Sequence, residues 1–219
     1  MRLLLINPNT SQATTAAMVG IARDTVPGIE IDGLSAPFGV PLITGPTALE
    51  IGRQAVNALI AARPPFGYRG LIVAAFGDPG VADLRQSVAI PVTGIAEAGM
   101  AEAAAHGPFA VVTTTPDLVG AIAERADLYG HGDLFLGTVL TDGDVHQVMG
   151  NREGLSEALR EACQRAVKEM GARALVIGGG PLAVAARAIA GSLTVPIIEP
   201  VPAAVRLAVL RAGKAAGGG

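Results

Sequence analysis

The chain has one cysteine, Cys163, no tryptophan, and seven aromatic side chains in all, five Phe and two Tyr, among 219 residues. One cysteine excludes an internal disulfide framework and suits a reducing compartment. The 16 Lys and Arg are balanced by 19 Asp and Glu, a net charge of −3. With no basic stripe and few aromatic platforms, no nucleic-acid partner is expected. No apolar run reaches the roughly 18 residues needed to cross a bilayer, so no membrane partner is expected either. The N-terminal Met-Arg runs straight into an apolar strand without the longer apolar stretch and cleavage site of a signal peptide, and the expected location is the cytoplasm. His106, His131 and His146 lack metal-ligand spacing. The dinucleotide glycine fingerprint and the Lys-Ser/Thr pair of a phosphate loop are also missing.

What is abundant is Ala, Val, Leu and Ile, and half of the chain is hydrophobic. That composition suits parallel sheets buried on both faces under helices. Short apolar runs at Leu3–Ile6, Ile29–Leu34, Leu71–Ala75 and Pro91–Ile95 read as strands. Four more follow at Phe109–Thr113, Phe135–Leu140, Ala174–Ile177 and Val195–Ile198. Helical patterning fills the gaps, as at Thr47–Ala62 and Glu153–Met170, so βαβ units are predicted. The two series are alike in detail. In residues 71–95 and 174–199 a strand ends in a glycine loop, a short helix follows, and a β-branched residue with proline opens the next strand. Pro91 lies 16 residues after Ala75 and Pro196 lies 17 after Gly179. The expected fold is α/β, with two pseudo-symmetric halves, each a parallel four-stranded sheet flanked by helices, and a ligand cleft between them. The first half is placed at residues 1–97, completed by a C-terminal helix at 201–212, the second at 98–200, with a flexible tail at 213–219.

Parallel sheets bind ligands at the carboxyl ends of their strands. Four loops there carry candidate chemistry. In INPNTS (6–11), Asn7, Asn9, Thr10 and Ser11 stand between a strand and a helix, either as an anion or amide clamp or as ordinary helix caps. Thr113 and Thr114 of TTTP repeat the arrangement in the second half. In AAFGDPG (74–80), Gly77 and Gly80 permit tight backbone geometry. Asp78 reads first as the cap of the helix that follows and second as an acid–base group. GGGPL (178–182) is the matching loop, whose consecutive glycines imply close approach of a ligand or of the opposite half. Glu97 and Glu199 fall near the carboxyl edges and suit structural or catalytic roles equally. Cys163, inside the 153–170 helix, reads as a small buried hydrophobe.

The motifs LLLINPNTS, AAFGDPG, PVTGIAEA, FAVVTTTP and VPIIEPVPAAV, in this order, resemble the hydantoin and allantoin racemase branch of the aspartate/glutamate racemase superfamily. The resemblance covers almost the whole chain. It implies an isomerase fold of two pseudo-symmetric halves, no cofactor, and assembly into homo-oligomers. It also implies a small-molecule substrate, a carboxylate or a hydantoin-like cyclic amide. By the same resemblance Asn9, Thr10, Ser11, Thr113 and Thr114 would hold that substrate, together with backbone N–H groups at Phe76, Gly77 and Gly180.

One departure stands out. Racemases of this family use two cysteines on opposite faces of the stereocentre, one removing a proton and the other delivering one. The resemblance assigns those thiols to Ala75 and Gly179, and neither can exchange a proton. Cys163 lies in the wrong element to replace them. Several readings therefore stay open. The old pocket could serve decarboxylation, isomerisation or C–N cleavage with an acid–base group that is not a thiol: Asp78, a Thr or bound water. It could bind its ligand without turnover. Ala75 could stand in place of a single native cysteine, as used by arylmalonate decarboxylases. Two-thiol racemisation is not expected of the chain as written.

Overall fold

The computed structural model describes residues 1–217. The first half contains β1 (Arg2–Asn7), α1 (Gln12–Arg23), β2 (Glu30–Ser35), α2 (Pro46–Ala62), β3 (Leu71–Val73), α3 (Val81–Ser87), β4 (Val92–Gly94) and α4 (Ile95–Ala104). The second contains β5 (Phe109–Thr113), α5 (Val119–Leu128), β6 (Phe135–Leu140), α6 (Val145–Gly150), α7 (Arg152–Met170), β7 (Ala174–Ile177), α8 (Ala183–Ile189) and β8 (Ile197–Ile198). A final helix, α9 (Pro200–Gly217), returns to pack on α1, α4, β3 and β4. The two sheets have orders β2-β1-β3-β4 and β6-β5-β7-β8, and every pairing is parallel. All eight predicted strands are present. Strand β3 ends at Val73 rather than Ala75, because the backbone turns there into the loop before α3. The expected helix end at 212 moves to Gly217. Lys214 and Ala215 favour the helix, and Gly213 costs it only about 1 kcal/mol. Of the tail expected at 213–219, residues 218 and 219 lie outside the described residues, as does the side chain of His146.

Strand periodicity explains the layers. Leu3 and Leu5 of β1 face one core, whereas Leu4 and Ile6 face another. In β5, Phe109 and Val111 join Leu3 and Leu5, and Ala110 and Val112 point the other way. The shared core thus lies between the sheets. It is filled by α1 (Met18, Ala22), α4 (Ile95, Met100), α5 (Ile122) and α9 (Val201, Val205). Helices α2 and α3 cover the outer face of the first sheet, and α7 and α8 that of the second. Each such fully buried Leu, Ile or Val contributes about 1.5–3 kcal/mol. Cys163 is buried in the α7 layer, as its helical position predicted.

In each sheet the chain order reverses beside the first strand. The first crossover goes to one side (β2, β6) and the next to the other (β3, β7). Loops leaving two neighbouring strands in opposite directions open a crevice at their carboxyl ends. The strands concerned are β1 and β3 in one half and β5 and β7 in the other, and these bear the four loops singled out above.

Candidate functional site

Those four loops line one narrow cleft, part of it open to solvent. Asn9 comes from the β1 loop, and Ala74, Ala75 and Phe76 from the β3 loop. The β5 loop supplies Thr113, Thr114 and Thr115, and the β7 loop Gly178, Gly179 and Gly180. Leu42, Ile43, Leu118 and Leu182 complete the wall. Ala75 and Gly179, the thiol positions by resemblance, therefore stand on the same cleft, one from each half. Thr10, Ser11, Gly77 and Asp78 are not among its lining residues.

The β1 loop is organised by Asn7, the first asparagine of INPNTS, which is fully buried. Asn7 Nδ2 donates to Asn9 Oδ1 at 2.8 Å and to Thr15 Oγ1 at 2.9 Å, and Asn7 Oδ1 accepts from the Asn9 N–H at 3.2 Å. Asn9 Oδ1 also accepts from the Ser11 N–H at 2.9 Å. With its oxygen so occupied, Asn9 turns the amide nitrogen to the cleft, and Nδ2 has no acceptor among the described residues. Ser11 caps α1 by accepting from the Thr14 N–H, and the Thr10 N–H donates to the Val40 carbonyl, tying down the irregular segment that carries Leu42 and Ile43.

The second half is built similarly. Thr113 Oγ1 donates to the Gly178 carbonyl at 2.8 Å and lies 3.0 Å from Thr115 Oγ1, locking the β5 loop to the β7 loop. The Thr114 hydroxyl has no partner among the described residues. Backbone N–H groups of Ala75, Phe76, Thr114, Gly179 and Gly180 also donate to no acceptor among them. Gly179 has φ 151° and ψ 128°, a backbone region that L side chains rarely adopt. A side-chain carbon there would sit 3.3 Å from Leu182 Cγ. The cleft is thus a cage of apolar walls with several unused donors. None of its fourteen lining residues has a titratable side chain. Such a surface suits carbonyl or carboxylate oxygens of a small ligand but offers no group to take up a proton.

Asp78, expected to cap α3 or to act as an acid–base group, does something else. It is buried, and its carboxylate accepts from the N–H groups of Ala96 (2.9 Å) and Glu97 (2.8 Å) and from the Tyr129 hydroxyl (2.7 Å). It therefore caps α4, whose preceding residue, Gly94, has no side chain with which to do so. Helix α3 instead starts from Gly80, without a side-chain cap. Burial raises Asp78 to about 6, against the lowering effect of its three donors. Burial and the adjacent Asp78 raise Tyr129 as well. Glu97, the other carboxylate predicted near this edge, pairs with Arg85 and Arg211. Burial pushes it up, but Arg211 and Arg85 outweigh that and leave it below the usual carboxylate range. Glu199 pairs with Arg187 at 3.2 Å. Among the described residues no group of His, Cys, Asp and Glu could hold a metal ion, and no helix is long and apolar enough to cross a membrane.

Fold and site together define a two-halved parallel α/β protein with a small-molecule cleft between pseudo-equivalent loops. The chain belongs to the Asp/Glu/Hydantoin racemase family, whose model matches residues 3–208. It is 29% identical over 214 residues to a hydantoin racemase from Paenarthrobacter aurescens, covering 95% of this chain and 89% of that one. Among solved structures, an allantoin racemase from Klebsiella pneumoniae is 35% identical with a TM-score of 0.89, covering 96% of this chain and 86% of that one. An allantoin racemase from Pseudomonas fluorescens is 28% identical with a TM-score of 0.90, over 97% and 92% of the two chains. The fold and the hydantoin/allantoin branch read from the motifs are borne out.

Proposed function

We propose that the chain binds a hydantoin-like cyclic amide or small carboxylate in the cleft between its halves, and that it does so without two-thiol racemisation. The observation that carries this reading is the lining itself. Free N–H donors, Asn9 Nδ2 and the Thr114 hydroxyl stand ready for ligand oxygens, while the positions expected to bear thiols are Ala75 and Gly179. The names of the relatives, hydantoin and allantoin racemases, support the ligand class. Loss of a general acid or base costs about 10²- to 10⁴-fold, and here both are gone. Asp78 does not replace them, since its carboxylate is committed to α4 and Tyr129.

Titration calorimetry with hydantoin, 5-benzylhydantoin, allantoin and L-glutamate tests the reading. Saturable binding of at least one, weakened by Asn9→Ala and by Thr114→Val, is expected. No heat from any of them, or binding indifferent to both substitutions, overturns it. A cytoplasmic location and assembly into homo-oligomers complete the proposal. Exposed Phe66, beside Ile60, Pro64, Pro65, Val88 and Ile90, supports the latter, and light scattering on the purified chain checks it.

A further inference from the structure

The corner of the β3 loop carries an inference that rests on the cleft being the ligand site. Asp78 has φ 52°, the only positive value outside glycine among the described residues, and it lies between Gly77 at 114° and Gly80 at 83°. A non-glycine residue stays in that region only where its surroundings hold it. The Asp78 N–H donates back to the Ala75 carbonyl at 3.0 Å, so the wall of the cleft and the carboxylate move as one turn. The carboxylate fits into space that only a glycine leaves: a side-chain carbon at Gly94 would stand 2.1 Å from Asp78 Cγ. Two of its three donors belong to the first half. The third, Tyr129, ends α5 in the second half, 51 residues away.

We propose that Tyr129 is a positioning residue whose hydroxyl, through Asp78, fixes the Ala75–Phe76 wall of the cleft against the second half. The geometry gives the phenol one hydrogen-bond acceptor, Asp78 Oδ2, at 2.7 Å. No other side chain hydrogen-bonds to Asp78 among the described residues. Losing the hydroxyl leaves α4 capped by the two remaining hydrogen bonds but removes the Asp78 side chain's hydrogen bond to the opposite half, leaving the packing of Phe76 against Gly178.

The same contact makes the wall sensitive to pH. The charged groups around Asp78 include Glu97 on α4, Arg211 on α9 and Arg85 on α3, which both pair with Glu97, Glu50 and Arg53 on α2, Asp83 on α3, and Glu124 and Arg125 on α5. Burial and the nearby Glu97 raise Asp78 to about 6, and the Tyr129 hydroxyl lowers it. Protonation below that value removes the acceptor charge that holds Tyr129.

The test uses the full chain as wild type, Tyr129→Phe and Asp78→Asn. Amide exchange followed by NMR reads the wall directly, and 5-benzylhydantoin affinity between pH 5 and 8 reads its effect on the site. One such hydrogen bond corresponds to about tenfold. Tyr129→Phe should therefore speed exchange about tenfold at the Asp78 N–H, which closes the turn onto the Ala75 carbonyl, leave β6 unchanged, and weaken binding at pH 7 by a similar factor. It should also move the acid limb of binding to higher pH, because a donor that lowers Asp78 is gone, while Asp78→Asn should abolish that limb. A Tyr129→Phe protein with a lower melting temperature but unchanged exchange at the Asp78 N–H overturns the proposal, as does an unmoved acid limb. Should the wild type take none of the probes, the ligand reading falls, and exchange at the Asp78 N–H alone decides the role of Tyr129.

Discussion

Replacing Gly94 by alanine adds one methyl group where there is no room for it. The new carbon would lie 2.1 Å from Asp78 Cγ and 2.2 and 2.4 Å from the carboxylate oxygens. Gly94 itself has φ −90° and ψ 149°, extended backbone that alanine adopts freely, so the whole cost comes from this clash. The carboxylate must withdraw, leaving the Ala96 and Glu97 N–H groups and the Tyr129 hydroxyl without their acceptor. At about 1–3 kcal/mol for each buried donor left unsatisfied, with some water reaching α4, Gly94→Ala should cost about 4 kcal/mol. That is a large part of the 5–15 kcal/mol typical of a folded domain. Asp78→Gly orphans the same donors but relieves a left-handed backbone worth about 1 kcal/mol, so it should cost about 3 kcal/mol. The double variant has space for the methyl and should cost no more than Asp78→Gly alone. Additivity would instead give about 7 kcal/mol, so the cycle should show a coupling of about 4 kcal/mol. Urea unfolding at pH 7 measures all four proteins. A Gly94→Ala cost below about 1 kcal/mol, or additive costs in the double variant, would refute the reasoning.

Three other outcomes follow from the same geometry. Ala75→Cys extends a side chain already facing the cleft and should leave stability within about 1 kcal/mol, whereas Gly179→Cys meets φ 151° and should lose about 1–3 kcal/mol, both read from thermal melts. Burial raises the Cys163 thiol to about 12, so the native protein should resist a disulfide reagent at pH 8 and react once only on unfolding in urea. Asp78 is raised in the folded state from 3.8 to about 6. The folded chain therefore binds the proton more tightly, and this group's contribution is greatest below pH 4 and is lost as pH rises through 6. Relative to Asp78→Asn, wild-type stability should fall by about 2 kcal/mol between pH 4 and 7 in urea titrations.

Much of this architecture is legible in the sequence. Strands such as Phe109–Thr113 and Ala174–Ile177 appear as short β-branched and apolar runs, because both faces of each are buried. Similar loop spacings in the two halves point to the cleft, since equal sheet orders put equivalent strand ends side by side. What escapes a linear reading is contact between distant residues. Asp78 looks like the cap of the helix beside it, but its donors are at Ala96, Glu97 and Tyr129, and nothing local in the sequence marks them. Leu42 and Ile43 line the cleft from an irregular segment without periodicity to betray them. Asn7 lies in the same motif as Asn9, and only burial separates the residue that braces the loop from the one that faces the ligand.

The most direct test of the central claim is proton exchange at the stereocentre of a bound ligand. Optically pure 5-benzylhydantoin would be incubated with the protein in D₂O, with the C5 hydrogen followed by NMR and the optical rotation in parallel. Saturable binding with both signals decaying at the rate seen without protein is what a cleft holding Ala75 and Gly179, and no titratable lining residue, predicts. Protein-dependent loss of the C5 hydrogen together with loss of rotation would contradict it.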